Sequence, residues 1–244
     1  MLRNVLNELQ FGLREKVLGK IVLRKSLPRL AQGYSVEQER NFYRLVLTRG
    51  LAPLNQNHLF SYVTDVGCRN WSYAHALADF FPQAQITGVD VDGFRRYWNL
   101  YRRIDHAQAY AGDLRRRGRE VQAYAKDFRD FYLPPSPSQV LFTFFFPFVS
   151  ENPCLKWGLP ARFVNFPLLL KHSLILQWIS LAQGATWLSA HQGEWEASEA
   201  RKAYTRAGLD WREIVLSLEE TREFWPSPYE THILISQGPA AVAG

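Results

Sequence analysis

The amino-acid sequence predicts an α/β fold: a doubly wound, mainly parallel seven-stranded sheet with an antiparallel last strand, helices on both faces and an N-terminal helical extension. From residue 59 onward, short apolar runs alternate with helical patterns, as in parallel sheets whose strands are joined by crossover helices. The last two apolar runs are separated only by a loop with Pro226 and Pro228, which favours antiparallel pairing. We therefore expect residues 1–58 to form the extension and residues 59–244 the α/β domain.

Length and composition agree with one large globular domain and an appendage. The chain has 244 residues, of which 47% are hydrophobic and 21% are charged. No apolar run reaches the ~18 residues of a membrane span, since Lys171 and His172 interrupt the nearest candidate, and the N-terminus lacks a signal-peptide pattern. Two cysteines are too few for a disulfide framework or a cysteine-rich zinc site. We expect a cytoplasmic protein with free thiols and no metal.

Each element has its own sequence signal. The apolar, β-rich runs predict strands at residues 59–66, 85–90, 120–126, 140–146, 185–190, 211–218 and 229–236. Helical periodicity predicts helices at residues 36–49, 72–81, 94–115, 162–182 and 194–207. Ser35 with Gln38 is typical of a capping box at the first of these helices, while Pro82 and Gly208 end two others. Residues 140–146 are almost wholly apolar, as expected of a central parallel strand buried on both faces.

The formal net charge of +6 is concentrated in two segments. Residues 1–30 contain seven basic and two acidic residues, and residues 95–119 contain eight arginines and two aspartates. Such segments attract nucleic acid, phosphates or anionic lipid, although many are only solvated helix faces. Leucines recur at helical spacing from Leu2 to Leu13, so the first segment predicts a basic amphipathic helix. Peripheral membrane contact, docking on a partner and capping of the chain's own domain stay open.

Three predicted strands end in aspartate at the edge where sheets of this kind bind ligands. Asp65 ends the first strand, Asp90 the second and Asp127 follows the third. Gly67 lets the backbone approach a ligand, a carboxylate at the second strand end suits two ribose hydroxyls, and an acid beside Phe128 suits an exocyclic amine and its base. One such aspartate is often only a turn former, but three in register indicate a nucleoside site.

The motifs around these acids resemble those of the Rossmann-like (class I) S-adenosylmethionine-dependent methyltransferases. Asp65–Trp71, DVGCRNW, is similar to the family's first motif, acid-x-Gly-x-Gly-x-Gly, with Arg69 and Trp71 in place of the second and third glycines. Gly88-Val89-Asp90 matches the second motif, and Asp127-Phe128 resembles the adenine-side motif. The resemblance covers residues 59–237 and implies S-adenosylmethionine as cofactor. The resemblance implies that the cofactor contacts seven residues: Asp65, Gly67, Cys68, Asp90, Val91, Asp127 and Phe128.

A dinucleotide-binding dehydrogenase is the nearest rival interpretation. It needs Gly-x-Gly-x-x-Gly at the first turn so that a pyrophosphate can lie at a helix N-terminus. The sequence has Gly67 there and no further glycine before Gly88, and it contains no Walker-type phosphate loop. S-adenosylmethionine has no phosphate, so the first turn suits this cofactor better.

The resemblance also indicates where a methyl acceptor would bind, beyond the fourth and fifth strands. Phe144–Phe148, FFFPF, lies where enzymes that methylate nucleic-acid amines often have Asn/Asp-Pro-Pro-Tyr/Phe. Phe145 replaces the polar residue that would accept a hydrogen bond from an amine. We therefore expect an apolar pocket, with Phe146 and Phe148 in its wall, and methyl transfer to an O or N atom of a small or lipophilic molecule.

The segment after the fifth strand contains the candidate catalytic residues. Histidine ordinarily titrates near neutrality, so His191 is a candidate general base. Glu194 is a candidate partner for it or for an amine, and Trp195 is a candidate stacking residue for a substrate ring. Glu194 is equally typical of a helix start. Two alternatives stay open: an RNA or tRNA methyltransferase, which the basic segments favour, and a methyltransferase fold that serves as a binding or scaffold subunit, which the atypical first motif favours.

Overall fold

A seven-stranded sheet forms the centre of the protein. The computed structural model describes residues 2–20, 26–54, 60–130, 139–147, 149, 151–160, 185–206, 208–224 and 227–237. The strands are β1 (Tyr62–Val66), β2 (Gln85–Val89), β3 (Val121–Tyr124), β4 (Val140–Phe145), β5 (Thr186–Gln192), β6 (Asp210–Leu216) and β7 (Thr231–Gln237). Their order is β3-β2-β1-β4-β5-β7-β6. β7 is antiparallel to both of its neighbours, and the other pairs are parallel, which confirms the predicted sheet.

Helices cover both faces of this sheet, as predicted. The described helices are α1 (Leu2–Leu13), α2 (Tyr34–Leu51), α3 (Ala74–Phe80), α4 (Arg103–Arg116), α5 (Glu151–Lys156), α6 (Gly193–Arg206) and α7 (Leu218–Thr221). α2, α3 and α4 contribute Val46, Leu77 and Ile104 to the core on one face. α6 packs Tyr204 against the other face, where the core includes Phe142.

Several elements differ in extent from the prediction. The arginine-rich helix begins at Arg103 rather than at residue 94, because Asp105 caps it by accepting a hydrogen bond of 2.7 Å from the backbone N–H of Arg102. α2 begins at Tyr34, directly after Gly33 with its φ of 110°, and so one residue before the predicted cap. The short helix α7 lies between the last two strands, where a loop was expected. The helix predicted at residues 162–182 lies outside the described residues.

The N-terminal helix α1 lies next to the loops that follow β2 and β4. Asn7 donates hydrogen bonds of 3.1 Å to the backbone oxygens of Leu155 and Leu159. Arg14, in the π-helical turn that continues α1, forms an ion pair of 3.3 Å with Asp92. These contacts attach the extension to the edge of the sheet at which parallel strands end. Within the described part of the chain, no helix is long and apolar enough to cross a membrane.

Candidate active site

A cleft opens at the carboxyl ends of β1, β2 and β4, the edge at which open α/β sheets bind ligands. It contains about 860 Å³ of empty space, part of which is open solvent. Charged side chains line one side and aromatic side chains line the other. The lining consists of Val66, Gly67, Arg69, Val89, Asp90, Val91, Asp92, Arg103, Lys126, Asp127, Phe128, Phe144, Phe145, Phe146, Pro147 and Leu159.

The loop after β1 has the backbone of a glycine-rich turn. Gly67, Arg69 and Trp71 have φ values of 78°, 54° and 56°, all in the left-handed region. These are the three positions at which the methyltransferase motif has glycine. A side chain in this conformation costs roughly 1–2 kcal/mol per residue, so contacts elsewhere must hold Arg69 and Trp71 in place. The loop therefore keeps the turn that the missing glycines would have favoured.

Asp65 provides the polar part of that support. Its side chain is fully buried, and its Oδ2 accepts hydrogen bonds of 2.8 Å from the Trp71 indole and from the Tyr73 hydroxyl. Its Oδ1 accepts a hydrogen bond of 2.7 Å from Thr143 on β4. Burial raises the pKa of Asp65 to about 7, against the lowering effect of these hydrogen bonds. The Asp65 carboxylate is thus engaged by hydrogen bonds inside the protein, and the residue does not line the cleft.

Packing provides the rest of the support. The Trp71 ring is fully buried against Gly88 of β2, where a Cβ atom would lie 2.9 Å from the indole and 3.0 Å from Cys68 Sγ. The glycine of the second motif is therefore required by the tryptophan of the first. Cys68 is itself fully buried, which raises the pKa of its thiol, and it does not line the cleft.

Asp90 lines the cleft, and one oxygen of its carboxylate has no hydrogen-bond partner among the described residues. The residue directly follows β2, and its Oδ1 accepts a hydrogen bond of 2.7 Å from the backbone N–H of Asp92. Its Oδ2 is buried and has no hydrogen-bond partner among the described residues, while Arg103 Nη1 lies 3.9 Å away. A buried carboxylate oxygen without a donor is costly, so this atom is suited to the donors of a ligand.

Asp92 forms ion pairs with three arginines at the border of the cleft. Arg95 Nε lies 2.5 Å and Arg103 Nη1 3.4 Å from its Oδ2, and Arg14 Nη2 lies 3.3 Å from its Oδ1. Burial raises the pKa of Asp92, although the three arginines lower it. The cluster joins α1 to the turn after β2 and places the guanidinium of Arg103 in the lining.

The segment after β3 contributes an acid next to an apolar surface. Asp127 and Phe128 both line the cleft, and the Phe128 ring packs edge-on against Phe144 with 5.9 Å between the ring centroids. Val91, which follows Asp90, extends the same apolar surface. An apolar slot with a hydrogen-bond acceptor at its edge is the environment that a purine base requires.

The side of the cleft formed by β4 is apolar. Phe145, Phe146 and Pro147 line it together with Leu159, which precedes Pro160 after α5. Phe146 has a φ of 55°; its backbone N–H donates to Ala190 of β5 at 2.8 Å, and its ring stacks on Phe42 with 5.8 Å between centroids. This wall is therefore fixed by the sheet and by α2. Phe148 lies outside the described residues.

The residues proposed from the segment after the fifth strand lie elsewhere. His191 belongs to β5, is buried and shares a hydrogen bond of 2.8 Å with Ser189; burial lowers its pKa to about 3. Glu194 pairs with Arg201 on the surface of α6, and Trp195 is 73% exposed. None of the three is among the described residues that line the cleft.

The cleft also contains residues that sequence reasoning missed. Arg69, Asp92, Arg103 and Lys126 give it a charged border, and Leu159 closes its apolar side. The sequence could have indicated Arg69, since it lies inside the first motif, and Asp92, since it lies two residues after Asp90. No sequence motif indicates Leu159, because it reaches the cleft only through the packing of α5 and α1.

The order of the strands, with the antiparallel β7 between β5 and β6, defines the fold. It is a Rossmann-like fold, and the cleft lies at the carboxyl ends of the parallel strands, where open α/β sheets bind their ligands.

Comparison with solved structures finds several methyltransferases. Magnesium protoporphyrin IX methyltransferase from Synechocystis PCC 6803, with S-adenosylmethionine bound, is 16% identical, with 97% of this chain and 94% of that chain covered and a TM-score of 0.46. An N-methyltransferase from Bradyrhizobium japonicum in complex with S-adenosyl-L-homocysteine is 12% identical (93% and 98% covered, TM-score 0.47). A putative RNA methyltransferase from Pyrococcus horikoshii is 13% identical (91% and 95% covered, TM-score 0.49). Protein-family models and curated proteins give no match.

Proposed function

We propose that the protein is an S-adenosylmethionine-dependent methyltransferase that transfers a methyl group to an O or N atom of a small or lipophilic molecule. One observation carries the proposal: Asp90 lines the cleft at the carboxyl ends of the strands, and its buried Oδ2 has no hydrogen-bond partner in the described chain. The strand order that surrounds this cleft is that of methyltransferases.

The residues of the cleft fit the parts of this cofactor. Asp90 would hold the ribose hydroxyls, Asp127 would accept a hydrogen bond from the adenine amine, and Phe128 would provide an apolar surface for the base. Arg69 would pair with the carboxylate of the amino-acid end, and Gly67, where no atom lies within 4 Å of a Cβ position, would leave room for it. When bound, the cofactor supplies an electrophilic sulfonium methyl group. Asp65 and Cys68 act on it only indirectly, through the conformation of the loop after β1.

The apolar side of the cleft favours a lipophilic acceptor. Phe145, Phe146, Pro147 and Leu159 carry no titratable group, so their contribution is to bury the acceptor, orient it and exclude water. Orientation is the main requirement of an in-line displacement, because the acceptor atom must lie opposite the leaving sulfur. Catalytic roles for His191 and Glu194 remain predictions from the sequence, and this mechanism does not use them.

The arginine-rich segment is the feature that bears on the RNA alternative. All eight arginines of residues 95–119 have partners within the chain. Arg95 and Arg103 pair with Asp92, Arg102 with Asp105, and Arg116 and Arg117 with Asp113, while Arg96, Arg115 and Arg119 donate to backbone oxygens. Three aspartates offset part of this charge, but hydrogen bonds to backbone oxygens leave the guanidinium charge in place, and Arg116 and Arg117 are 73% and 65% exposed. The segment therefore keeps a net positive charge, and the small acceptor is favoured by the apolar side of the cleft and not by this segment.

Calorimetric titration with S-adenosylmethionine and S-adenosylhomocysteine tests the cofactor site. We expect both to bind the wild-type protein, and we expect Asp90→Asn to weaken binding by about 10- to 100-fold, because a charged acceptor of two hydrogen bonds becomes a neutral group with a donor. Asp79→Asn is the matched control: this aspartate lies on the surface of α3 and pairs with Arg44, so binding should not change.

Transfer of a labelled methyl group to extractable lipophilic amines, phenols and carboxylic acids then tests the acceptor class. A folded wild-type protein that binds neither cofactor form would refute the proposed activity and favour the scaffold interpretation. Retained binding with transfer to RNA alone would replace the lipophilic acceptor with the RNA alternative.

A further inference from the structure

The N-terminal helix presents its apolar face to solvent. The inward face of α1 is fixed by Asn7, which bonds to the loop after α5, and by the buried Phe11. The outward face carries leucines, with Leu2, Leu9 and Leu13 exposed at 76%, 67% and 63%. An amphipathic surface helix normally turns its apolar stripe towards the core, so this orientation is the reverse of the usual one. Isolated exposed leucines need no explanation, but a contiguous stripe along three turns does.

The apolar face continues beyond α1. We define the α1 face by the exposed residues Leu2, Val5, Leu6, Leu9, Leu13 and Val17. A shallow groove at its N-terminal end is lined by Arg3 of α1 and by Lys156 and Trp157, at the end of α5 and just beyond it. Trp157 is 57% exposed. An exposed tryptophan next to a leucine stripe is typical of the boundary between lipid headgroups and acyl chains, where one side of the indole is apolar and its N–H stays hydrated.

The charges around the α1 face are mainly positive. Arg3, Lys16, Lys20 and Lys156 are exposed along its border. Residues 1–30 as a whole contain seven basic and two acidic residues. Apolar residues that enter the acyl region, flanked by cations that meet negatively charged headgroups, are the two contributions by which an interfacial helix binds a bilayer.

We propose that the α1 face and Trp157 bind the surface of an anionic lipid bilayer, and that the methyl acceptor is an amphipathic molecule taken from that bilayer. The second half rests on the proposed methyltransferase function. Two contacts connect the surface to the site: Asn7 holds the backbone of Leu159, which lines the cleft, and Arg14 pairs with Asp92, which also lines it. A helix is only about 10–12 Å thick, so a bilayer on its outer side lies next to the apolar side of the cleft.

Co-sedimentation of the full chain with vesicles tests the surface. We expect binding to phosphatidylcholine vesicles that contain phosphatidylglycerol and at least tenfold weaker binding to phosphatidylcholine alone. Leu9→Ser/Leu13→Ser should reduce binding to the anionic vesicles by about tenfold or more, because it removes two of the most exposed apolar side chains. Lys16→Glu/Lys20→Glu should reduce it as well, and added salt should weaken wild-type binding.

Two controls distinguish vesicle binding by the α1 face from nonspecific adsorption through exposed apolar side chains. Val215→Ser/Leu218→Ser removes two exposed apolar side chains (45% and 42%) at the end of β6 and the start of α7, away from the α1 face, and it should bind vesicles like the wild type. The Leu9→Ser/Leu13→Ser variant should keep the wild-type melting temperature and calorimetric affinity for S-adenosylmethionine, since both side chains point to solvent.

Three results would overturn the inference. The first is equal binding to neutral and anionic vesicles, or binding that the serine substitutions leave unchanged. The second is a dimer in sedimentation velocity that dissociates in the Leu9→Ser/Leu13→Ser variant, without vesicle binding, because a second copy would then cover the α1 face. The third is retention of a protein partner through this face in place of vesicles. Vesicle binding by a protein that does not bind cofactor would instead support the surface and refute the methyltransferase function, so the two failures are distinguishable.

Discussion

Asp65 and Asp90 stand at the carboxyl ends of neighbouring parallel strands, but their carboxylates meet different surroundings. Asp65 accepts hydrogen bonds from Trp71, Tyr73 and Thr143 and is sealed inside the protein. Asp90 accepts one backbone hydrogen bond, and its second oxygen has no hydrogen-bond partner among the described residues, with Arg103 Nη1 3.9 Å away. The sequence pattern is the same at both sites, an aspartate at the end of a β-branched run. The number of donors that the fold brings to each carboxylate separates a residue that supports the site from the one that we propose binds the cofactor.

The different surroundings follow from what comes after each strand. Trp71 and Tyr73 follow β1 closely and reach back to Asp65, so this loop supplies its own donors. The turn after β2 supplies only the backbone N–H of Asp92, and the three nearby arginines are directed mainly at the Asp92 carboxylate. A site that keeps one acceptor unpaired loses stability and gains a binding function.

The largest expected effect comes from removing the Asp65 carboxylate. Asp65→Ala should lower the free energy of unfolding by about 3 kcal/mol, because three buried donors lose their acceptor at about 1–3 kcal/mol each and partly regain it among themselves. Urea denaturation followed by tryptophan fluorescence measures this change. Asp65→Asn is the control: its amide keeps an oxygen for Trp71 and Tyr73 and donates to the Thr143 hydroxyl, so it should lose less than about 1 kcal/mol. Equal losses in both variants would contradict this account of the loop.

The raised pKa of Asp65 predicts that the stability of the protein depends on pH. Burial raises this pKa from the ordinary value of 3.8 to about 7, so between these values the folded protein holds a proton that the unfolded chain has lost. This contribution to stability is present below pH 4, falls as the pH rises and is lost above pH 7. We expect a decrease on the order of 2 kcal/mol between pH 5 and pH 8, relative to Asp65→Asn measured in the same buffers. Parallel pH curves for the two proteins would refute it.

A substitution at Gly88 tests whether packing holds the loop as firmly as the hydrogen bonds do. Gly88→Ala places a Cβ atom 2.9 Å from the Trp71 ring, so it should destabilise the protein by about 1–3 kcal/mol through overpacking. Gly118→Ala is a control for glycine in general, because its φ of 79° costs energy but no atom lies within 4 Å of its Cβ position. Combining Gly88→Ala with Trp71→Phe should recover part of the loss, since the smaller ring leaves room. A double variant no better than Gly88→Ala would argue that Trp71 is not the obstacle.

The sheet could be predicted from the sequence because its signals are local. Continuous apolar runs such as residues 140–146, ended by glycine, proline or aspartate, predict strands, and the helical patterns between them require parallel crossovers. The start of α4 was predicted nine residues too early, because the periodicity of Tyr97 and Tyr101 continues through residues that the structure places in turns. Here the Asp105 cap sets the helix start, a contact that periodicity does not reveal.

The site was predicted only in part, since its remaining features depend on three-dimensional neighbours. Gly67, Asp90 and Asp127 line the cleft, as the strand-end pattern suggested. His191 had the chemistry of a general base, but its position in β5 buries it, because side chains of a central strand alternate between the two covered faces. The contribution of Leu159 depends on how α1 and α5 pack, and no short motif encodes that arrangement.

The smallest effect that we predict concerns the backbone strain that accompanies the atypical motif. Arg69 has a φ of 54° at a position where the motif has glycine, so Arg69→Gly removes a conformational cost of about 1–2 kcal/mol and restores about 0.4–1 kcal/mol of entropy to the unfolded chain. The net expectation is a stability gain below about 1 kcal/mol, measured by urea denaturation. Arg69→Ala separates the two roles of the residue, because it removes the guanidinium and keeps the strain. Both variants should bind S-adenosylmethionine more weakly if the guanidinium pairs with its carboxylate, but only the glycine variant should be more stable than the wild type. A stability gain without weaker binding would show that Arg69 is tolerated in the loop rather than used by it.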